Sequence, residues 1–280
     1  MTRLLVCGIA VMDYVHRMDA LPEGEGKHRS HSFQRIGGGC AANAAVGAAR
    51  LGARVTLLSR AGQDGAGDEL AALLDGQGVT PMLARGGRTP LSSVMVDASG
   101  ERMIVNFPGA HLPTEPPPLP DFDAVLADCR WPEAAETVLA AARAAGRPGV
   151  LDGEKYTPAP LAAQASHVVF SAPGLRDFTG IDALDRALAD AAARLPGAVA
   201  YTDGPDGVRW ADGPHVPARE VDAVDTLGAG DLWHGAFALA LGRGEALDAA
   251  SDFANRAAAI KCTRAGGWEV YPVARDLEGS

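Results

Sequence analysis

Residues 36–78 read IGGGCAANAAVGAARLGARVTLLSRAGQDGAGDELAALLDGQG, and the order of patterns within them decides the fold. A glycine turn leads into an alanine-rich helix that Gly52 closes. ARVTLLS, at 53–59, is an apolar run of strand length. DGAGDELAALLDGQG, at 64–78, is the next helix. Strands separated by helices of this size imply a mostly parallel sheet covered on both faces.

The same alternation extends in both directions. Arg3–Ile9 is a strand ending in the region of a glycine, and strands follow at 123–129, 148–153, 167–172 and 198–204. Helices are expected at 133–146, 181–195, 232–241 and 245–266. Two regions break the rhythm. Residues 11–35 are polar and extended, and residues 89–107 alternate apolar and polar around DASGER, the pattern of a β-hairpin. These segments are expected to pair as a small sheet, a lid over about 11–35 and 89–111, a dimer surface, or both. LPTEPPPLP, at 112–120, leads back into the body. The whole chain, 1–280, reads as one domain.

Composition narrows the function. Apolar residues make up 47% and aromatics 5%, and no apolar run reaches the ~20 residues of a membrane span. The first residues, MTRLLVCGIAVMD, carry no secretory pattern. The four cysteines are widely spaced and none forms a C-x-x-C pair, as expected of free thiols in the cytoplasm. The seven histidines also lack metal-ligand spacing. A net charge of −10 argues against nucleic acid or an anionic membrane as partner.

Chemistry concentrates in VDTLGAGDLWHGAFALAL, 224–241. A helix starting at 228–231 presents unpaired backbone N–H groups at its positive end, and GAG lets an anion approach them closely. Asp231 then reads either as a helix N-cap or as a general base beside an anion hole. A cap alone requires neither GAG before it nor a second aspartate at 225. Base and anion hole together suit phosphoryl transfer to a hydroxyl. No G-x-x-x-x-G-K-[ST] occurs, and neither GAGDLWHG nor GGGCAANA matches G-x-G-x-x-G, so a P-loop enzyme is excluded and a dehydrogenase is disfavoured.

DTLGAGD before an apolar helix, GGGCAANAAVGAARLGARVTLLSRAGQDGAGDEL, and TDGPDG at 202–207 resemble, in order, the three signatures of the ribokinase-like (PfkB) sugar kinases. The resemblance implies a three-layer α/β/α doubly wound sheet with a β lid, and transfer of the ATP γ-phosphate to a sugar. It implies Asp231 as catalytic base and the backbone of Gly228, Ala229 and Gly230 as anion hole. Asp13, Gly38, Gly39 and Asn43 would hold sugar hydroxyls. Thr202, Gly204 and Gly207 would line the ATP site, with Asn255 near the adenine. Asp225 and residues 263–267 match the region where family members hold a monovalent cation such as K+, and a homodimer through the lid is implied.

Two departures stand out. The family's N-x-x-E, whose glutamate helps to position Mg2+, is replaced by SAPG at 171–174, with Asp152 or Glu154 as substitutes. Within the family, GIAVMD, VDASGERMIVNFPG, VLADCRW, VLDGE and KCTRAGG look most like bacterial sulfofructose kinases, and ketohexokinases are more distant. That likeness implies Lys27, Asn106 and Arg130 as sulfonate ligands and 6-deoxy-6-sulfofructose as substrate. Asn43, where those enzymes tend to carry threonine, points instead to ribokinases or ketohexokinases, hence to ribose or fructose. The lost N-x-x-E also allows a non-catalytic sugar-binding protein on the same scaffold.

Overall fold

A computed structural model of the chain describes residues 1–278. In chain order the strands are β1 (Arg3–Cys7), β2 (Val11–Arg17), β3 (Ser32–Gly38), β4 (Arg54–Ala61), β5 (Val79–Arg85), β6 (Leu91–Val96) and β7 (Arg102–Phe107). Then follow β8 (Ala124–Ala127), β9 (Gly149–Gly153), β10 (His167–Ser171), β11 (Ala198–Thr202), β12 (Val208–Trp210) and β13 (His215–Val216). The helices are α1 (Cys40–Arg50), α2 (Gly65–Gly76), α3 (Pro132–Ala144), α4 (Ala159–Ala162), α5 (Ala172–Thr179), α6 (Leu184–Arg194), α7 (Ala229–Gly242) and α8 (Leu247–Cys262).

The large sheet runs β13-β12-β11-β10-β9-β8-β1-β4-β5 and is parallel from β11 to β5. Strand β1 shows why its sequence is continuously apolar. Leu4 and Val6 enter the core beneath α1, α7 and α8, while Leu5 and Cys7 enter the core beneath α3. Both faces of a parallel strand are covered, so both of its alternating sets must be apolar. This three-layer arrangement is the expected fold.

The two irregular regions pair as expected. The second sheet runs β3-β2-β6-β7, with antiparallel hairpins at each side and a parallel β2–β6 join. The β6–β7 turn is closed by Asp97, whose Oδ1 accepts from the backbone of Ser99 and Glu101.

Besides the short elements α4, β12 and β13, two further elements, β5 and α5, were not anticipated. Strand β5 pairs with β4 at the sheet edge although it contains Pro81, and the edge is where a strand proline is tolerated. Residues 171–174, read as a loop, instead start α5, with Ser171 Oγ accepting from Gly174 N at 3.1 Å. Helix α7 lies close against α1 through glycines. A Cβ at Gly235 would collide with Ala44 O, and one at Gly47 with the Leu232 side chain. That close approach brings Asn43 of α1 to the start of α7.

Candidate active site

The C-terminal ends of the parallel strands share one edge, where ligands bind in open α/β sheets. A cleft of about 630 Å³ opens there beneath the lid sheet. Of the residues singled out from sequence, Asp13, Gly38, Gly39, Asn43, Asn106, Arg130, Gly228 and Asp231 all line it.

Gly228 is the N-cap of α7 at φ 72°, a left-handed conformation, and a Cβ there would meet the Tyr271 hydroxyl. Glycine is therefore required on both counts. Asp231 sits in the first helical turn, and no side chain caps this helix. The N-cap reading of Asp231 is thereby excluded. Its Oδ2 instead accepts from Asn43 Nδ2 at 2.7 Å. Asn43 is itself oriented, because its Oδ1 accepts from Trp268 Nε1 at 2.8 Å and an indole nitrogen can only donate.

The backbone N–H of Ala229 donates to Thr226 O at 3.2 Å. Those of Gly228, Gly230 and Asp231 have no protein acceptor among the described residues. The expected set of free amides is thus shifted, with Asp231 in place of Ala229. Such orphan donors at a helix start attract negative charge.

Behind Asp231 lies a buried charge cluster that the sequence did not disclose. His234 is 4% exposed, and its Nδ1 and Nε2 face Gly230 O at 2.9 Å and Val169 O at 3.1 Å. Two carbonyl acceptors can both be satisfied only by an imidazolium. Burial opposes that charge, but Asp152 and the two carbonyls outweigh it and raise the His234 pKa. Asp152 Oδ1 lies 3.5 Å from His234 Nε2 and has no hydrogen-bond partner, although the residue is 4% exposed. Carboxylate oxygens of Asp152 and Asp231 and the Cys40 sulfur lie within 4.8 Å of one another.

Burial and the Asp152 charge push Asp231 up to about 6, against hydrogen bonds from Asn43 and the Cys40 thiol. Burial likewise brings Asp152 to about 6. Asp128, also about 6 through burial, accepts from Ile9 N and Arg130 N, both at 2.8 Å. It thus fixes the strand-end turns of β1 and β8. Asp128 bonds the Arg130 backbone, and the Arg130 guanidinium forms no salt bridge among the described residues. Asp13 Oδ1 is likewise buried without a partner, and burial raises its carboxyl despite a hydrogen bond with Ser92.

Other expected residues fall elsewhere. Lys27 is exposed on the β2–β3 connection and, unlike Asn106 and Arg130, is not among the residues lining the cleft. Thr202 ends β11 beside Ser171 of β10, and Gly204 and Gly207 form the following turn at φ 50° and 79°. Asn255 is 4% exposed and fully engaged. It accepts from Trp233 Nε1 at 2.7 Å and donates to Val216 O and Pro217 O, each at 3.0 Å. Its amide nitrogen props the 216–217 segment with both of its N–H donors.

Gly174 stands where a family glutamate was expected. A Cβ there would strike Gly153 O, so the close backbone approach leaves no room for that side chain. Glu154 fills the space instead, 3.4 Å from Ser171 Oγ. Asp225 meets the 263–267 loop through Gly266 N at 3.3 Å, and the ammonium of Lys261 sits against it at 3.1 Å.

Comparison with known proteins agrees with this geometry. The pfkB family of carbohydrate kinases matches residues 1–273. The chain is 31% identical over 292 residues to a ribokinase of Bacillus subtilis, covering 99% of each protein. A protein of Agrobacterium tumefaciens provisionally assigned as a ribokinase superposes with a TM-score of 0.90 at 37% identity, over 99% of this chain and 96% of that one. A ribokinase of Arabidopsis thaliana complexed with ribose and ATP gives 0.84 at 25% identity, over 98% and 97%. The chain belongs to the pfkB family of carbohydrate kinases, ATP-dependent phosphotransferases that act on sugars.

Proposed function

We propose that the enzyme phosphorylates a hydroxyl of a ketohexose-like sugar that carries an anionic group, with 6-deoxy-6-sulfofructose the best match and its 1-phosphate the product. The observation that carries the reaction type is Asp231, held by Asn43 beside the free amides of Gly228, Gly230 and its own backbone. Asp231 takes the proton of the attacking hydroxyl as that oxygen bonds the γ-phosphorus. The bond from phosphorus to the β–γ bridging oxygen breaks, and ADP departs with that oxygen. The amides hold the charge on the transferring group. Asp13, with a buried oxygen lacking a partner, accepts from a sugar hydroxyl.

Thr202, Gly204 and Gly207 would receive ATP at the end of β11, with Asn255 acting through the 216–217 segment. The donor set fits Mg2+, which favours carboxylate oxygens together with water and phosphate. Asp152 offers a buried oxygen without a partner, and Glu154 stands where room for another acidic residue is lacking. Bound there, the ion would neutralise phosphate charge.

Arg130 supports the anionic substrate. Its guanidinium forms no salt bridge among the described residues, and Asn106 of the lid lines the same cleft. A guanidinium fork suits a tri-oxygen anion. Asn43 and the similarity to ribokinases favour a second reading, ribose or an uncharged ketose. The lid sheet also leaves Phe33 51% and Val105 59% exposed on its side away from the cleft, which supports a homodimer through the lid. An ADP-coupled assay over sulfofructose, fructose, fructose 6-phosphate, ribose and nucleosides tests the substrate. Highest kcat/KM for the sulfonated ketose is expected, and a preference for ribose replaces it with the second reading.

A further inference from the structure

Lys261 lies in the last turn of α8, in AAAIKCTRAGG, where a lysine ordinarily extends to water past the carbonyl end of the helix. Here it is 0% exposed. Its Nζ donates to Asp225 O at 3.0 Å and to Arg264 O at 3.4 Å, and pairs with Asp225 Oδ2 at 3.1 Å. Three donors thus meet three oxygens, two of them main-chain carbonyls.

The cage joins two loops that border the cleft. Asp225 Oδ1 accepts from Leu227 N at 2.9 Å, and Asp225 Oδ2 from Gly266 N at 3.3 Å. Leu227 immediately precedes the Gly228 cap, while Gly266 leads to Trp268, which orients Asn43. Arg102 of lid strand β7 approaches Asp225 Oδ1 at 3.4 Å. Burial pushes the Asp225 carboxyl up, but the bonds from Leu227, Lys261 and Gly266 outweigh it and hold it below its ordinary range.

Carbonyl and carboxylate oxygens gathered in this way suit a bound monovalent cation, and the resemblance led to that expectation for Asp225 and 263–267. The donor set does not admit one here, because an ammonium already uses the same oxygens and a second cation beside it would be repelled. We propose that Lys261 is a covalently tethered replacement for a monovalent cation. It is a positioning residue that ties the 225–230 loop to the 264–267 loop and frees the enzyme from dependence on K+. The proposal rests on the reading of 228–231 as the reacting loop.

The test compares potassium chloride with tetramethylammonium chloride at matched ionic strength, for the wild type and for Lys261→Ala. Wild-type kcat and melting midpoint are expected to agree between the two salts to within about twofold and about a degree. Lys261→Ala is expected to lose about tenfold or more in kcat in tetramethylammonium. Potassium or ammonium chloride should restore much of that loss and raise the variant's midpoint by a few degrees, since an ion that binds only the folded state stabilises it. Wild-type turnover stimulated about fivefold or more by potassium overturns the proposal. So does a Lys261→Ala variant with full turnover in tetramethylammonium, or one whose kcat and melting both ignore potassium and ammonium. Should Lys261→Ala be unfolded in tetramethylammonium, potassium must restore the fold, and failure to do so overturns it as well. A wild type inactive on every sugar counts against the reacting-loop reading, while the melting comparison still decides the role of Lys261.

Discussion

Asn43 Nδ2 and Asp231 Oδ2 stand 2.7 Å apart although 188 residues separate them. The bond depends on α1 and α7 touching through Gly47 and Gly235, and on Trp268 fixing which end of the amide faces the carboxylate. It holds the Asp231 carboxylate in one position at the start of α7. Asp231→Asn keeps the shape and removes the base, so kcat is expected to fall by ~10²–10⁴. Sugar binding measured by calorimetry should stay within a few-fold of wild type. Turnover within about tenfold of wild type would remove Asp231 from the role of base.

Acidity is the second handle. The cluster of Asp231 and Asp152 titrates near 6, and the base acts only when ionised, so kcat/KM should fall as pH drops below about 6. Because the Asp152 charge is the second cause of the elevation after burial, Asp152→Asn should displace that acid limb to lower pH. The apparent values belong to the coupled group rather than to one residue. A pH–rate profile of the variant with an unmoved acid limb would separate the two carboxylates.

Elevation of a carboxyl also carries a stability cost with a definite sign. A group whose folded pKa of about 6 exceeds its ordinary 3.8 favours the folded state at pH below the ordinary value. That advantage is lost as pH rises through about 6, leaving the ionised form under strain at neutral pH. Neutralising Asp231 should relieve it. Asp231→Asn is therefore expected to be more stable than wild type at pH 8, by about 1–2 kcal/mol, and to lose that gain by pH 4. Denaturant melts at both pH values provide the check, and a variant less stable at pH 8 would contradict the buried-charge account.

Particular residues show what the sequence made legible. Leu4–Cys7 is apolar on both alternating faces, so its burial in a parallel sheet could be read directly. GAGD likewise announced a helix start able to receive an anion. Strand β5 was hidden because edge position, not pattern, is what makes Pro81 tolerable. His234 was hidden inside an apolar helical run, where nothing local reveals that it meets Val169 O and Asp152. Lys261 reads as a helix-end cation, and only the folded loops show that it turns inward. Lys27 is the reverse case, exposed on the β2–β3 connection and outside the cleft lining.

If the substrate is the proposed anionic sugar, Arg130 rather than Lys27 is expected to recognise its charge. Asp128 bonds the Arg130 backbone and so sets where the side chain departs, while the guanidinium is left without a carboxylate partner at the cleft wall. A guanidinium placed at the cleft wall can give a tri-oxygen anion a bidentate contact, a charge-assisted pair typically worth ~1.5–3 kcal/mol. Arg130→Ala should therefore lower kcat/KM for the sulfonated ketose by about 10–100-fold, and that for fructose by no more than about threefold. Lys27→Ala should leave both nearly unchanged, because Lys27 is exposed and lies outside the cleft. The loss for Arg130→Ala should appear chiefly in KM if the anion is held equally before and during transfer. Equal losses on both sugars would deny Arg130 any part in recognising the anion, and a large effect of Lys27→Ala would mean that the β2–β3 connection closes onto the ligand.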